Sequence, residues 1–96
     1  MRVSIGQFVE EIAGHAGTLC AVLSENTVCF PITGMSICMD STSIRIEDDY
    51  KLFSLPVLQI HSIEKTFCNA FTDDARAWIE YEVSTVQGGT ITIDIH

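Results

Sequence analysis

Between Gly17 and Glu47 apolar side chains recur at every second position, and short polar steps break the pattern at near-regular intervals. This feature constrains the fold most, because a period of two belongs to strands with one buried face. TLCAVLS, TVCFPI, MSICMD and SIRIED are separated by Glu25-Asn26, Thr33-Gly34 and Ser41-Thr42. Residues 18–48 therefore read as a four-stranded antiparallel meander. Centring each turn on its dipeptide pairs Leu23 with Val28, Ala21 with Phe30, Phe30 with Ile37, Val28 with Met39, Ile37 with Ile46 and Met39 with Ile44. One face then collects Leu19, Ala21, Leu23, Val28, Phe30, Ile32, Met35, Ile37, Met39, Ile44 and Ile46, with no polar member. A slip of one residue at any turn would invert a strand's two faces.

The opposite face carries Cys20, Val22, Ser24, Thr27, Cys29, Pro31, Ser36, Cys38, Arg45 and Glu47. It is only half polar and calls for a cover from the helix, the second half of the chain or another subunit. Two residues fit this scheme badly. Pro31 falls opposite Cys20, where a donor is needed and proline has none. Thr33 is a poor residue for the positive φ of a tight hairpin turn.

The flanking segments complete a mainly β (α+β) chain, a single domain over residues 1–96. A short N-terminal helix at about 4–14 precedes the meander, and the whole forms a small barrel or sandwich. Ser4 suits the N-cap with Gln7 three residues on, and Ile5, Phe8, Val9 and Ile12 share one helical face. Gly14 and Gly17 end the helix. Further strands are expected at about 50–55, 58–65, 76–85 and 90–95, with TFCNAF as a possible addition. DDARAWIEYEVST, residues 73–85, could also present a helical face through Ala75, Trp78, Ile79 and Val83, but the crowding of Trp, Ile, Tyr, Val and Thr favours a strand from about residue 76. A three-residue loop Gln87-Gly88-Gly89 would pair Val83 with Ile93 and Tyr81 with Ile95. LFSLPVLQIHSIEK, residues 52–65, resembles the strand-corner-strand segment of pleckstrin-homology-like bacterial domains. That family closes its barrel with a C-terminal helix, where this sequence reads as a strand, and no function is carried over.

Thirteen acidic residues against five basic ones give a formal charge of −8. Binding a polyanion requires clustered Lys and Arg, and here Arg2, Arg45, Lys51, Lys65 and Arg76 are scattered. Direct binding to nucleic acid or to an anionic membrane is not expected. Glu10 and Glu11 interrupt any apolar core of a signal peptide, and no run reaches the ~18 apolar residues of a membrane span. The expected location is the cytoplasm, with Cys20, Cys29, Cys38 and Cys68 reduced.

In this register Cys29 and Cys38 stand directly opposed in a non-hydrogen-bonded pair, as two packed thiols or a cross-strand disulfide. A zinc site lacks the tight Cys-x2-Cys spacing of structural sites. A Cys–His nucleophile pair with His61 or His15 lacks a visible orienting group. No cofactor and no metal are expected. Glu80 and Glu82 share a strand face with Trp78, and Glu47, Asp48 and Asp49 form an acidic loop. These six residues are the candidate partner-binding positions, because interface hot spots favour aromatic side chains. The function expected is a non-enzymatic, small acidic binding or assembly module acting through contacts with a protein partner or with itself as a homo-oligomer. The terminal strand would leave an edge for such pairing. The alternative is an acidic inhibitor that mimics a polyanion and blocks a nucleic-acid-binding protein, as phage anti-defence or immunity proteins do. A second alternative is a small enzyme or metal site using Cys and His.

Overall fold

The computed structural model describes residues 1–23, 26–68 and 78–96. It contains one short helix, α1 (Ile5–Ile12), and eight strands: β1 (Gly17–Leu23), β2 (Asn26–Pro31), β3 (Ser36–Met39), β4 (Ser43–Glu47), β5 (Leu52–Pro56), β6 (Ile60–Cys68), β7 (Trp78–Thr85) and β8 (Thr90–Ile95). The strands form two antiparallel sheets, ordered β2-β1-β8-β7-β6 and β3-β4-β5. The fold is thus mainly β, as the period of two requires. The segment that reads as strand-corner-strand is β5, a 3-10 turn at Val57–Gln59, and β6.

One apolar cluster lies between the sheets. The large sheet contributes Leu19, Ala21, Phe30, Ile63, Tyr81, Val83, Ile91, Ile93 and Ile95, and the small sheet Ile44, Ile46 and Leu55. The Phe30 and Phe53 rings meet across the sheets at 5.9 Å. In β8 the alternation is complete, with Ile91, Ile93 and Ile95 buried and Thr90, Thr92 and Asp94 on the other side. Each fully buried isoleucine contributes about 1.5–3 kcal/mol of transfer free energy. Helix α1 covers part of the same face. Ser4 Oγ accepts the Gln7 N–H at 3.1 Å, satisfying one of the helix's orphan donors. Phe8 and Ile12 are buried, and the Phe8 ring meets Tyr81 edge-on at 5.3 Å.

The connection after β2 overturns part of the expected meander. β2 and β3 do not pair but belong to different sheets. Phe30 therefore does not face Ile37, Val28 does not face Met39, and Cys29 does not face Cys38. The cause lies in the two residues that fitted badly. Thr33 does not take a positive φ. Instead Gly34 does, at 79°, and the Met35 N–H donates to the Ile32 carbonyl at 3.0 Å. A turn with glycine at its third position carries the chain from one sheet to the other. Pro31 pairs with Thr18, not Cys20. The Ile32 N–H donates to Gly17 at 2.9 Å, and hydrogen-bonded pairs alternate with non-bonded ones from there. Pro31 thus occupies a non-hydrogen-bonded position, and the N–H it lacks is one that would point outward from edge strand β2.

Two further registers differ from expectation by two residues. Leu23 faces Asn26 and Ala21 faces Val28, so the β1–β2 turn centres one residue earlier than Glu25-Asn26. Tyr81 faces Ile93 and Val83 faces Ile91, because the three-residue loop is Val86-Gln87-Gly88. Gly88, at its third position, has φ 91°. The Thr85 N–H donates to the Gly89 carbonyl at 2.9 Å and closes this loop. A shift of two residues preserves every face. The pairs Ile37–Ile46 and Met39–Ile44 stand as read. Leu23, Val28 and Met39 leave the core and are exposed, because with β2 and β3 unpaired they lie at sheet ends and edges. β8 is not an edge strand but lies between β1 and β7. Ser24, Asn69, Ala70 and Phe71 of TFCNAF, the acidic pair Asp73-Asp74, Ala75 and Arg76 lie outside the described residues.

Candidate protein-binding face

β7 lies between β8 and β6 in the large sheet, with Tyr81 and Val83 turned to the core. Alternation then places Trp78, Glu80 and Glu82 on the outer face. The neighbouring strands bring two more carboxylates to that face. Glu82 stands between Glu64 on β6 and Thr92 on β8, and Glu80 between Thr66 and Asp94. Strand spacing puts laterally adjacent positions about 4.8 Å apart, and alternate residues along a strand about 6.8 Å apart. Glu64, Glu80, Glu82 and Asp94 therefore occupy two adjacent rungs of three adjacent strands.

This arrangement works against the sheet. Like charges directly opposite destabilise a pair of strands, and here Glu64 faces Glu82 while Glu80 faces Asp94. Compensation reaches Glu64 alone: Arg2 Nε approaches its Oε1 and the Met1 ammonium its Oε2, each at 3.4 Å in an exposed pair, while Glu80, Glu82 and Asp94 have no cationic partner among the described residues. Asp94 Oδ1 is buried and has no hydrogen-bond donor among the described residues. The acidic field reaches Cys68 as well. Burial first, then Glu80 and Asp94, push its thiol pKa up. Trp78 is half-buried, opposite Cys68.

The loop residues Glu47, Asp48 and Asp49 belong to the other sheet, at the β4–β5 turn, and do not join this face. Asp48 has a structural task there. Its Oδ1 accepts the Tyr50 and Lys51 N–H groups at 2.8 and 2.7 Å, and its own N–H donates to the Lys51 carbonyl. The β3–β4 turn is built the same way. Asp40 Oδ1 accepts the Thr42 and Ser43 N–H groups at 2.7 and 2.9 Å and the Thr42 hydroxyl at 2.8 Å. These bonds, led by the Thr42 N–H, pull the Asp40 carboxyl down to about 2. Both are short-range Asx turns of the kind that make aspartate common in loops.

Catalytic groups are dispersed. His15, His61 and His96 are each exposed. A surface pocket lined by Leu23, Gln59, Thr85, Gln87 and Gly89 contains no histidine or cysteine. Among the described residues no group of three His, Cys, Asp or Glu side chains could hold a metal ion. Cys38 faces Arg45 in the small sheet, away from Cys20 and Cys29, so the three cysteines do not share a face. No helix among the described residues is long and apolar enough to cross a membrane.

The alternation in β7 made Trp78, Glu80 and Glu82 a legible group. Glu64 and Asp94 join them only through long-range pairing, and their sequence neighbourhoods carry no sign of it. No known family model, curated protein or solved structure matches this chain.

Proposed function

We propose that this chain is a non-enzymatic binding module whose working surface is the outer face of β6, β7 and β8, and whose partner is a protein with a basic surface. The observation that carries the reading is the convergence of Glu64, Glu80, Glu82 and Asp94 on adjacent rungs. Such a cluster costs the free fold stability through like-charge pairs. A Lys- or Arg-bearing partner turns that cost into complementarity, which raises association rates and selects partners. Trp78 at the rim supplies an aromatic contact.

The test is to map amide chemical-shift changes while titrating a lysine-rich peptide. The expected shifts localise to residues around Glu64, Glu80, Glu82, Thr92 and Asp94, and vanish in 0.5 M salt. Replacing Glu82 by Thr weakens binding and stabilises the fold by about 0.2–1 kcal/mol, because Glu64 loses its like-charged neighbour. Shifts scattered over all acidic loops, or centred on Asp48 and Asp49, would refute the assignment of this face.

The narrower reading, an inhibitor that mimics a polyanion, is favoured by the same grouping on one sheet face. It requires competition with nucleic acid for the partner. Self-association also belongs to the reading, through edge strand β2. The particle mass with and without 0.5 M salt decides it, because pairing of apolar edges persists in salt while charge-driven contacts do not. Four free cysteines fit a reducing compartment such as the cytoplasm.

A further inference from the structure

We propose that Cys20 and Cys29 form a vicinal dithiol that closes into a cross-strand disulfide by exchange with a low-molecular-weight disulfide. The two residues are direct Cα partners in the β1–β2 pairing. Their rung is of the kind that permits closure. The Ile32 N–H bond to the Gly17 carbonyl fixes Gly17–Ile32 as a hydrogen-bonded pair, and alternation makes Cys20–Cys29 a non-hydrogen-bonded one. Such pairs have Cα atoms about 4.5 Å apart, inside the range of about 4.4–6.8 Å that a disulfide spans. The other two cysteines lack this arrangement, since Cys38 faces Arg45 and Cys68 faces Trp78.

Access sets the order of events. Cys29 is exposed on the edge strand, whereas Cys20 is half-buried one strand inward. The neighbouring Cys29 thiol, burial and Asp94 all raise the Cys20 pKa, in that order. The Cys29 thiolate attacks one sulfur of the incoming disulfide RSSR, forming Cys29–S–S–R and releasing RS⁻. Cys20 then gives up its proton to the released thiolate and attacks Cys29 Sγ, expelling the second RS⁻. The products are one intramolecular disulfide and two RSH after protonation from water. The two cysteines are oxidised by two electrons, which reduce RSSR. The short rung places the bond at the low end of the disulfide range, the kind that thiols reopen. Closure ties edge strand β2 to β1 while leaving the acidic face of β6, β7 and β8 open.

The experiment uses the reduced full chain and oxidised glutathione, read by intact mass, peptide mapping and thiol titration. Titratable thiols are expected to fall from four to two, with loss of two hydrogens and a Cys20–Cys29 crosslinked peptide. The C38S/C68S variant is expected to lose both remaining thiols in the same bond. C20S is expected to stop at a stable glutathione adduct on Cys29. A second measurement needs no variant: phenylarsine oxide, which bridges adjacent thiols, is expected to add once per reduced wild-type chain and to leave two thiols. Retention of four thiols, glutathione adducts without a Cys20–Cys29 link, or a bond involving Cys38 or Cys68 overturns the proposal. Failure of the peptide to map to the acidic face leaves these readouts unchanged, so the two ideas fail separately.

Discussion

Replacing Glu11 by Gln isolates the most deeply placed charge pair among the described residues. Glu11 lies in the last turn of α1, which carries no basic residue of its own. A carboxylate there opposes the helix dipole. Lys65 reaches from β6 to hydrogen-bond it, and the two side chains are 10% and 27% exposed respectively. The Lys65 ammonium also lies 5.0 Å from the Phe67 ring centre and 5.9 Å from that of Tyr81. An exposed ion pair contributes about 0.2–1 kcal/mol, and breaking a fully buried one costs about 3–5. This pair falls between those limits. A charge-assisted hydrogen bond contributes about 1.5–3 kcal/mol. The aromatic faces return about 0.5–1 of what the stranded ammonium loses, and relief of the dipole conflict returns a few tenths.

Glu11→Gln is therefore expected to cost about 1 kcal/mol at pH 7 in urea unfolding. Lys65→Met keeps the packed stem but strands a carboxylate whose Oε2 is already buried without a donor among the described residues, so about 2 kcal/mol is expected. The double variant should fall short of the sum by about 1 kcal/mol, which is the coupling that contact requires. The pH dependence separates charge from packing. The Lys65 hydrogen bond, ahead of burial, lowers the folded Glu11 pKa. A depressed carboxylate stabilises the fold above its unfolded pKa, about 4.3, and that stability is lost as pH falls through the folded value. The gap between wild type and Glu11→Gln should thus close in acid. A cost under 0.5 kcal/mol at pH 7, strict additivity, or a gap unchanged at low pH would show that the pair is solvated and the reasoning wrong.

Asp40, drawn down to about 2, stabilises the fold above its unfolded pKa near 3.9 and ceases to do so as pH falls from about 4 to 2. Asp40→Asn should flatten acid unfolding in that window, measured by circular dichroism. Burial first, and Glu11 second, push the Tyr81 phenol up to about 12, so its contribution is intact below pH ~10 and is lost as pH rises from there to about 12. Tyr81→Phe should leave stability at pH 7 nearly unchanged, since the hydroxyl is buried without a hydrogen-bond partner among the described residues, and should flatten the alkaline limb. Gly17→Ala places a Cβ 2.1 Å from the Asp94 carbonyl oxygen. Prying β1 from β8 should cost about 2–3 kcal/mol in urea, whereas Gly6→Ala, with open space around it, should not destabilise α1.

What the sequence revealed and what it concealed follow from one property of strands. A face depends only on the parity of a residue's position, whereas a partner depends on the exact register. Two of the turns, β1–β2 and β7–β8, were displaced by one residue, which shifts pairing by two and leaves parity intact. Burial of Leu19, Ala21, Phe30, Tyr81 and Val83 was accordingly legible. The same displacement gave Cys29 a different neighbour, because its opposite position became Cys20.

Turns closed by a local side chain were read correctly. Asp40 fixes the β3–β4 hairpin through bonds to residues two and three ahead, and the pairs beyond it stand as expected. The Thr33-Gly34 step had no such clasp, and its warning lay in Pro31 and Thr33, whose backbone limits excluded the hairpin that alternation suggested. Strand order lay beyond alternation altogether. β8 settles between β1 and β7 because its inward side is all isoleucine and its outward side is Thr90, Thr92 and Asp94. A strand so divided gains most where both neighbours extend the apolar layer. That placement also brings Asp94 beside Glu80, so the packing that completes the core assembles the acidic face on its reverse.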